Sequence, residues 1–159
     1  MERPSWDEYF MGFAEAAAKR ATCDRGRNGA IIVKDNKILT AGYTGSPPGF
    51  PHCDDIGHLI WKLRDDQGNE SSHCWRTLHA EENAIIQAAE FGISIRGATL
   101  YSKMVPCYQR CAMKIVRVGI VRVVAKRRYH ADKLSVDLLK DAGVQLDILE
   151  DKVEEYENQ

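Results

Sequence analysis

Two short segments of the sequence carry residues that could bind a metal and move protons. The first, His79-Ala80-Glu81, opens an alanine-rich stretch, and the second places Cys107 and Cys111 directly after Pro106. One imidazole and two thiolates are typical ligands of a catalytic zinc, which keeps a fourth position open. Both segments are predicted helix starts, where the partial positive charge of the backbone favours thiolate over thiol. The pattern therefore predicts a catalytic zinc centre.

Glu81 is predicted to handle protons in that centre. It lies two residues after His79, so on a helical turn its carboxylate points elsewhere than the imidazole. We therefore expect Glu81 to act as the general acid and base rather than to bind the metal. A lone histidine in a helix is usually only packed or exposed, but the joint pattern with the two cysteines is far more specific.

Length, charge and cysteine usage limit the class of protein. The chain has 159 residues, which is the size of one domain, and its net charge of −1 excludes a strongly basic nucleic-acid module. The polar N-terminus is no signal peptide, and no apolar run approaches the length of a membrane span. The odd number of cysteines argues against a disulfide framework. We therefore expect a cytoplasmic protein whose cysteines bind metal or react.

Hydrophobic periodicity and turn residues predict alternating helices and strands. A capping box at Ser5–Glu8 opens the first helix, and Asp35-Asn36 joins the first two strands. Residues 54–76 are ambiguous, with a short helix over 58–64 as one option and an exposed loop over 65–69. The tail from Glu150 is expected to be a loose helix. The predicted elements are helices over 5–22, 77–91, 107–118 and 131–142, and strands over 29–33, 37–43, 98–101, 120–125 and 144–149.

This order predicts an α/β protein forming a single domain over residues 1–159. Strands that alternate with helices favour a largely parallel sheet covered on both faces, and the opening hairpin adds one antiparallel pair. We expect a three-layer α/β/α arrangement around a mixed five-stranded sheet.

The residues and motifs of the chain resemble those of a known family. His-x-Glu followed by Pro-Cys-x-x-Cys is the signature of zinc nucleobase deaminases. Arg76–Ile85, which contains His79 and Glu81, is typical of the cytidine-deaminase superfamily, and Gly42–Asp55 is similar to the deoxycytidylate (dCMP) deaminases within it. The resemblance covers nearly the whole chain.

Two positions depart from the family pattern. Three residues separate Cys107 and Cys111 where two are usual, and Thr44 replaces a common Asn. Four positions along a helix rotate by about 400°, so the second sulfur still lies within about 60° of the first. We expect both cysteines to bind zinc, on a helix that starts differently or bulges. Threonine is shorter than Asn and has no amide, which puts its contact with the sugar in doubt.

The resemblance implies a cytidine-deaminase-like fold and zinc-dependent hydrolytic deamination of dCMP to dUMP and ammonia, which supplies dUMP for thymidylate synthesis. His79, Cys107 and Cys111 would hold Zn²⁺, and Glu81 would move protons between water, N3 of cytosine and the leaving ammonia. The N–H of Ala80 would bind the base carbonyl. Thr44 stands at the position that contacts the sugar. The candidates for the phosphate are Ser46, Arg25, Arg27 and Lys103.

The remaining cysteines suggest a second metal site. Some relatives carry a structural zinc, and Cys23, Cys53, Cys74 and His73 would complete a closed tetrahedral site here, with His52 as a substitute for His73. The alternative is that these cysteines are simply buried in the core.

The resemblance further implies a homo-oligomer, with a hexamer favoured, that is activated by dCTP with Mg²⁺ and inhibited by dTTP. Asp54 and Asp55 could approach that Mg²⁺. We expect a small nucleotide as the substrate and neither nucleic acid nor membrane as a partner.

Two other readings of the sequence stay open. One is another zinc deaminase, acting on tRNA adenosine, on cytidine or in riboflavin synthesis. The other is a non-catalytic nucleotide-binding protein with this fold, which the wide cysteine spacing would favour and the intact Glu81 opposes.

Overall fold

The computed structural model describes residues 1–155, so the last four residues of the predicted domain, 156–159, lie outside the described residues. The helices are α1 (Trp6–Ala18), α2 (Cys53–Ile56), α3 (Ala80–Phe91), α4 (Met113–Arg117) and α5 (Lys133–Asp141). The strands are β1 (Gly29–Lys34), β2 (Lys37–Tyr43), β3 (Ile60–Arg64), β4 (Glu70–Cys74), β5 (Thr99–Met104), β6 (Arg122–Arg127) and β7 (Gln145–Ile148). A π-helical turn over Tyr108–Ala112 leads into α4.

Five strands form the central sheet in the order β2-β1-β5-β6-β7, which confirms the predicted mixed five-stranded sheet. The pairs β5–β6 and β6–β7 are parallel, whereas β1 is antiparallel to both β2 and β5. The sequence predicted only one antiparallel pair, and this was wrong. The crossover from β2 through α3 makes β5 parallel to β2, so β1 between them is antiparallel to each.

Helices cover both faces of this sheet, as predicted. Side chains alternate along β1, so that Ile31 faces α1 while Ile32 faces the cluster formed with α3, α4 and α5. The core beneath α1 is built around Phe10 and Tyr101, whose ring centroids lie 5.4 Å apart. Nowhere in residues 1–155 is a helix both long enough and apolar enough to cross a bilayer.

The local signals at the first helix and the first hairpin were interpreted correctly. Ser5 caps α1, with its Oγ accepting from the N–H of Glu8 at 3.2 Å while the Glu8 carboxylate accepts from the N–H of Ser5 at 2.8 Å. α1 ends at Ala18, earlier than the predicted limit. Asp35 and Asn36 both have positive φ, which the tight turn between twisted strands requires.

The ambiguous region contains a hairpin that the sequence did not predict. β3 and β4 pair antiparallel with each other and form a separate two-stranded sheet, so a helix over 58–64 is wrong. The predicted exposed loop over 65–69 is the turn of this hairpin. Nearly every residue of β3 is exposed, which leaves no alternation of burial for a sequence pattern to reveal.

The C-terminal segment, residues 149–154, is not the loose helix that the sequence predicted. Its described residues form bends and a single bridge, and they continue the parallel pairing with β6 beyond the strand ends. The N–H of Leu149 donates to the carbonyl of Ala125 at 3.0 Å, and Val153 forms a parallel bridge with Arg128.

The close approach of α3 to β2 depends on a glycine. A Cβ on Gly42 would lie 2.3 Å from the carbonyl oxygen of Ala80 and 2.5 Å from the amide nitrogen of Ala84. Both distances are far below van der Waals contact, so α3 rests directly on the backbone of β2. The glycine thereby sets the height of the helix whose first turn carries Glu81.

Gly42→Ala is therefore expected to destabilise the fold by about 3 kcal/mol, because either α3 or β2 must move to admit the methyl group. The control is Gly12→Ala, since Gly12 is an exposed residue inside α1 with no atom near its Cβ position. That change is expected to stabilise the protein by up to about 1 kcal/mol. Thermal unfolding followed by circular dichroism measures both. Equal melting temperatures for the two variants would contradict the packing described here.

Candidate functional site

His79 lies immediately before the first residue of α3, with an extended backbone. The loop after β2 fixes its approach, because Gly45 and Leu78 exchange backbone hydrogen bonds of 3.2 and 3.0 Å. The imidazole therefore lies at the start of a helix that packs on the sheet through its buried face.

Cys107 and Cys111 are brought together by the π-helical turn. The carbonyl of Cys107 accepts hydrogen bonds from the N–H groups of both Cys111, at 3.2 Å, and Ala112, at 2.9 Å. The second bond spans five residues, which defines a π turn and accommodates one residue more than an α-helical turn. The expected bulge is therefore present. The two sulfurs lie 3.7 Å apart.

These two sulfurs and the imidazole converge on one point. Nδ1 of His79 is 3.3 Å from Sγ of Cys107 and 3.4 Å from Sγ of Cys111. Zinc bonds of about 2.3 Å to sulfur and 2.0–2.1 Å to nitrogen would place tetrahedral ligands roughly 3.5–3.8 Å apart. The donor types and their separations therefore fit a zinc ion with three protein ligands. Contact with Cys111 and His79 lowers the pKa of Cys107 to about 4 although burial opposes this, so a thiolate is available.

Glu81 faces the same point from the first turn of α3. Its carboxylate is buried and Oε2 lies 3.5 Å from the sulfur of Cys111. Oε1 accepts hydrogen bonds from Oγ of Ser102 at 2.8 Å and from Nδ2 of Asn28 at 3.0 Å. Burial raises the pKa of Glu81, which brings proton uptake closer to neutral pH. The arrangement can hold and release a proton beside the group formed by His79, Cys107 and Cys111, which is called the metal cluster below.

Sequence reasoning missed Asn28 and Ser102 as members of this site. Both are buried, and each donates to the one oxygen of Glu81 that faces away from the sulfurs. A serine within the otherwise apolar core of β5 was the available signal for Ser102. Asn28 directly precedes β1, and nothing local marks it as a partner of a residue in α3.

Glu82 joins the two segments that carry the metal ligands. It is only 4% exposed, and it accepts a hydrogen bond from the N–H of His79 at 2.9 Å. It also pairs with Arg110 of the π-helical turn, at 2.7 Å, and with Lys114 of α4. One buried carboxylate thus connects the start of α3 to the turn that holds both catalytic-site cysteines.

A second cluster contains the other three cysteines. Ligand atoms of Cys23, Cys53, Cys74 and His58 all lie within 4.8 Å of one another. Sγ of Cys53 is 3.5 Å from Sγ of Cys74, and Sγ of Cys23 is 3.6 Å from Nδ1 of His58. Three sulfurs and one imidazole match a closed structural zinc site. The side chain of Asp24 contacts Nε2 of His58 at 2.9 Å, as second partners of ligating histidines commonly do.

The histidine of this cluster differs from the one predicted. His73 is adjacent to Cys74 in β4, so the two side chains point to opposite faces of the hairpin, and Nε2 of His73 instead contacts Oγ of Ser71 at 3.0 Å. His52 is also not among the clustered residues. Gly57, whose φ is 83°, turns the chain after α2, so that His58 lies beside the sulfurs of the three cysteines. The short spacing from Cys53 to His58 was the available sequence signal.

Ala80, Thr44 and Ser46, predicted to contact the base, the sugar and the phosphate, have different surroundings. Ala80 is fully buried as the first residue of α3. Thr44 is also buried, and its N–H donates to the carbonyl of Asn28 at 3.0 Å. The hydroxyl of Ser46 donates to the carbonyl of Pro51 at 2.8 Å, which stabilises the proline loop itself.

The three predicted phosphate cations have different surroundings. Arg27 forms an ion pair with Asp54 at 3.0 Å, and Lys103 forms one with Glu154 at 3.1 Å. Both are therefore already paired with carboxylates of this chain. Arg25 donates to the carbonyl of Ser72 in β4 at 3.1 Å. Burial lowers the pKa of His73, the next residue of β4, and the charge of Arg25 contributes in the same direction.

Comparison with known proteins places these features in context. The model of the "Cytidine and deoxycytidylate deaminase zinc-binding region" matches residues 4–127. A Bacillus subtilis protein, ComE operon protein 2, is 40% identical over 94% of this chain and 74% of its own length. The deoxycytidylate deaminase of Schizosaccharomyces pombe is 40% identical over 91% of this chain. The chain spans 44% of that yeast relative's length.

A solved structure agrees with these sequence matches. The dCMP deaminase of cyanophage S-TIM5, crystallised in complex with dCMP and dUMP, superposes with a TM-score of 0.72 and 29% sequence identity. The match covers 93% of this chain and 99% of the phage chain.

Glu82→Gln is expected to destabilise the protein by about 3 kcal/mol, because it leaves two cations without the buried carboxylate that they share. Glu90→Gln is the matched control, since Glu90 is exposed near the end of the same helix and its loss is expected to change stability by less than about 0.5 kcal/mol. Chemical denaturation measures both variants. A Glu82→Gln variant as stable as the control would contradict the connection between α3 and the π-helical turn.

Proposed function

The chain belongs to the cytidine and deoxycytidylate deaminase family, and from this premise we propose that it catalyses the zinc-dependent hydrolysis of dCMP to dUMP and ammonia. The observation that carries the proposal is the buried carboxylate of Glu81 beside the cluster of His79, Cys107 and Cys111. The relatives named as deoxycytidylate deaminases, and the phage enzyme crystallised with dCMP and dUMP, support the choice of substrate.

In this proposal His79, Cys107 and Cys111 hold the zinc ion, which when bound supplies an activated water as the nucleophile. Glu81 accepts a proton from that water and delivers one to N3 of the cytosine ring. Once the oxygen of the water has added to C4, the same carboxylate would take the second proton from that oxygen and pass it to the amino group, so that the C4–N bond breaks and ammonia leaves. Its position suits this role, because Asn28 and Ser102 hold Oε1 while Oε2 is directed at the metal cluster.

The fold supplies a binding surface for the rest of the nucleotide. We assign the backbone N–H of Ala80 to the carbonyl of the base, since a helix N-terminus offers unpaired donors. Thr44 and Ser46 lie on the loop that follows β2, and we propose that Thr44 faces the sugar and that Ser46 faces the phosphate. Among the predicted phosphate cations, Arg27 and Lys103 are paired with Asp54 and Glu154, which weakens their candidacy as contacts of the phosphate. Arg25, which donates to the carbonyl of Ser72, stays a candidate.

The second cluster is proposed to hold a structural zinc ion through Cys23, Cys53, Cys74 and His58. The surroundings of Cys74 support this, because backbone N–H groups and the neighbouring Cys53 lower its pKa to about 7 although burial opposes the shift. Such an ion would join the end of α1 to α2 and to the hairpin of β3 and β4. That hairpin has few buried residues of its own.

Regulation and assembly stay predictions from the sequence. They comprise a homo-oligomer, with a hexamer favoured, activation by dCTP with Mg²⁺, inhibition by dTTP and a cytoplasmic location. Of the two acidic residues predicted to approach Mg²⁺, Asp54 is engaged by Arg27, which weakens its candidacy relative to Asp55.

Glu81→Gln is expected to lower the rate of ammonia release from dCMP by about 10²–10⁴-fold or more, because an amide cannot carry the proton. Zinc content and melting temperature are expected to stay near those of the wild type. Glu90→Gln serves as the control of equal charge change on the same helix. Deoxycytidine and a tRNA stem-loop serve as alternative substrates for the wild type. Near-normal turnover by Glu81→Gln would refute the mechanism.

The ligands of the second cluster can be distinguished by metal analysis. His58→Ala is expected to remove one equivalent of zinc from protein purified without chelator, because it deletes the nitrogen ligand of the closed site. His73→Ala is the control and is expected to keep the zinc content of the wild type. If His73→Ala lost the zinc and His58→Ala retained it, the assignment of His58 would be wrong.

A further inference from the structure

Glu154 is a buried carboxylate to which the proposed reaction gives no role. It is 7% exposed, although it lies in the C-terminal segment, whose other described residues are mostly exposed. Oε1 is 3.1 Å from Nζ of Lys103, and Oε2 accepts a hydrogen bond of 3.1 Å from Nη1 of Arg127. A carboxylate is removed from water only where cations or donors compensate for the lost hydration. This contact therefore fixes the C-terminal segment to the ends of β5 and β6.

Backbone hydrogen bonds on both sides of Arg128 extend this contact. The N–H of Arg128 donates to the carbonyl of Lys152 at 2.8 Å, and the N–H of Glu154 donates to the carbonyl of Arg128 at 2.9 Å. On the opposite side, the carbonyl of Arg127 accepts from the N–H of Val105 at 3.0 Å. Val105 is two residues before Cys107. The chain at Arg127 and Arg128 thus lies between the C-terminal segment and the segment that leads to the metal cluster.

Tyr129 and His130 follow directly in the chain. Their ring centroids are 4.3 Å apart. Burial, together with the negative charges of Cys107 and Cys111, raises the pKa of Tyr129 to about 12. Arg128 and Asp132 hold the turn around these rings through two hydrogen bonds of 3.0 Å.

We propose that Glu154 is a positioning residue for the active site. By fastening the C-terminal segment along 126–128, it holds the end of β6, whose Arg127 carbonyl accepts from the N–H of Val105 two residues before Cys107. In this arrangement Lys103 is the anchor of Glu154 and not a contact of the substrate phosphate. The expected change in kinetics rests on the proposed function, whereas the expected change in amide exchange does not depend on it.

The test compares Glu154→Gln with Glu155→Gln, which removes the same charge from the next residue, an exposed one. Hydrogen–deuterium exchange is expected to show faster exchange of the amides over 126–132 in Glu154→Gln alone. The value of kcat/KM for dCMP is expected to fall about tenfold in that variant, because displacement of positioning groups by about 1 Å can cost up to 10²-fold. Zinc content is expected to be unchanged.

Glu154→Asp restores the charge and is expected to recover part of kcat/KM and of the exchange protection, which a requirement for packing volume alone would not produce. It also provides a folded variant if Glu154→Gln proves too unstable to purify. Exchange rates and kinetics in Glu154→Gln equal to those of Glu155→Gln would overturn the inference. A wild-type protein that releases no ammonia from dCMP would refute the proposed function, whereas the exchange measurement would still decide the role of Glu154.

Discussion

The carbonyl oxygen of Cys107 accepts hydrogen bonds from two successive amides, those of Cys111 and Ala112, and the metal cluster depends on this pair of bonds. In a regular α-helix, residues four positions apart are separated by a rise of about 6 Å along the axis. The wider π turn places both sulfurs against the same nitrogen of His79 while leaving Ala112 buried at the start of α4. An inserted residue is thus absorbed by the backbone, without displacing either ligand.

The remaining structure holds this turn against the start of α3. Gly42 lets α3 rest on β2, and the bonds between Gly45 and Leu78 fix the chain just before His79. Glu82 then connects α3 to Arg110 and Lys114 across the cluster. Glu154 acts in the same way at the ends of β5 and β6. Like Glu82, it is a buried carboxylate shared by two cations, and it fastens an otherwise exposed segment. The start of α3 and the π-helical turn are therefore held in place by contacts with other elements as well as by their own hydrogen bonds.

The sequence predicted the parts of the molecule whose signals are local. The capping box at Ser5, the turn at Asp35-Asn36 and the β-branched run of β1 needed only neighbouring residues to be recognised. The His-x-Glu and paired-cysteine motifs were equally local, and the structure places their side chains together.

Features that depend on distant residues were not predicted. The hairpin of β3 and β4 has no buried face, so no periodicity marks it. The choice of His58 over His73 depends on the side of a strand and on the turn at Gly57, neither of which composition reveals. The contact of Asn28 with Glu81 joins residues 53 positions apart. The pairing of Glu154 with Lys103 likewise required the three-dimensional path of the chain.

The most direct test of this account is a crystal structure with anomalous diffraction data collected at the zinc absorption edge. The account predicts an anomalous peak within about 2.3 Å of the sulfurs of both Cys107 and Cys111 and bonded to Nδ1 of His79, with the π-helical turn retained. A zinc ion bonded to only one of these two cysteines, or a regular α-helical turn between them, would contradict it.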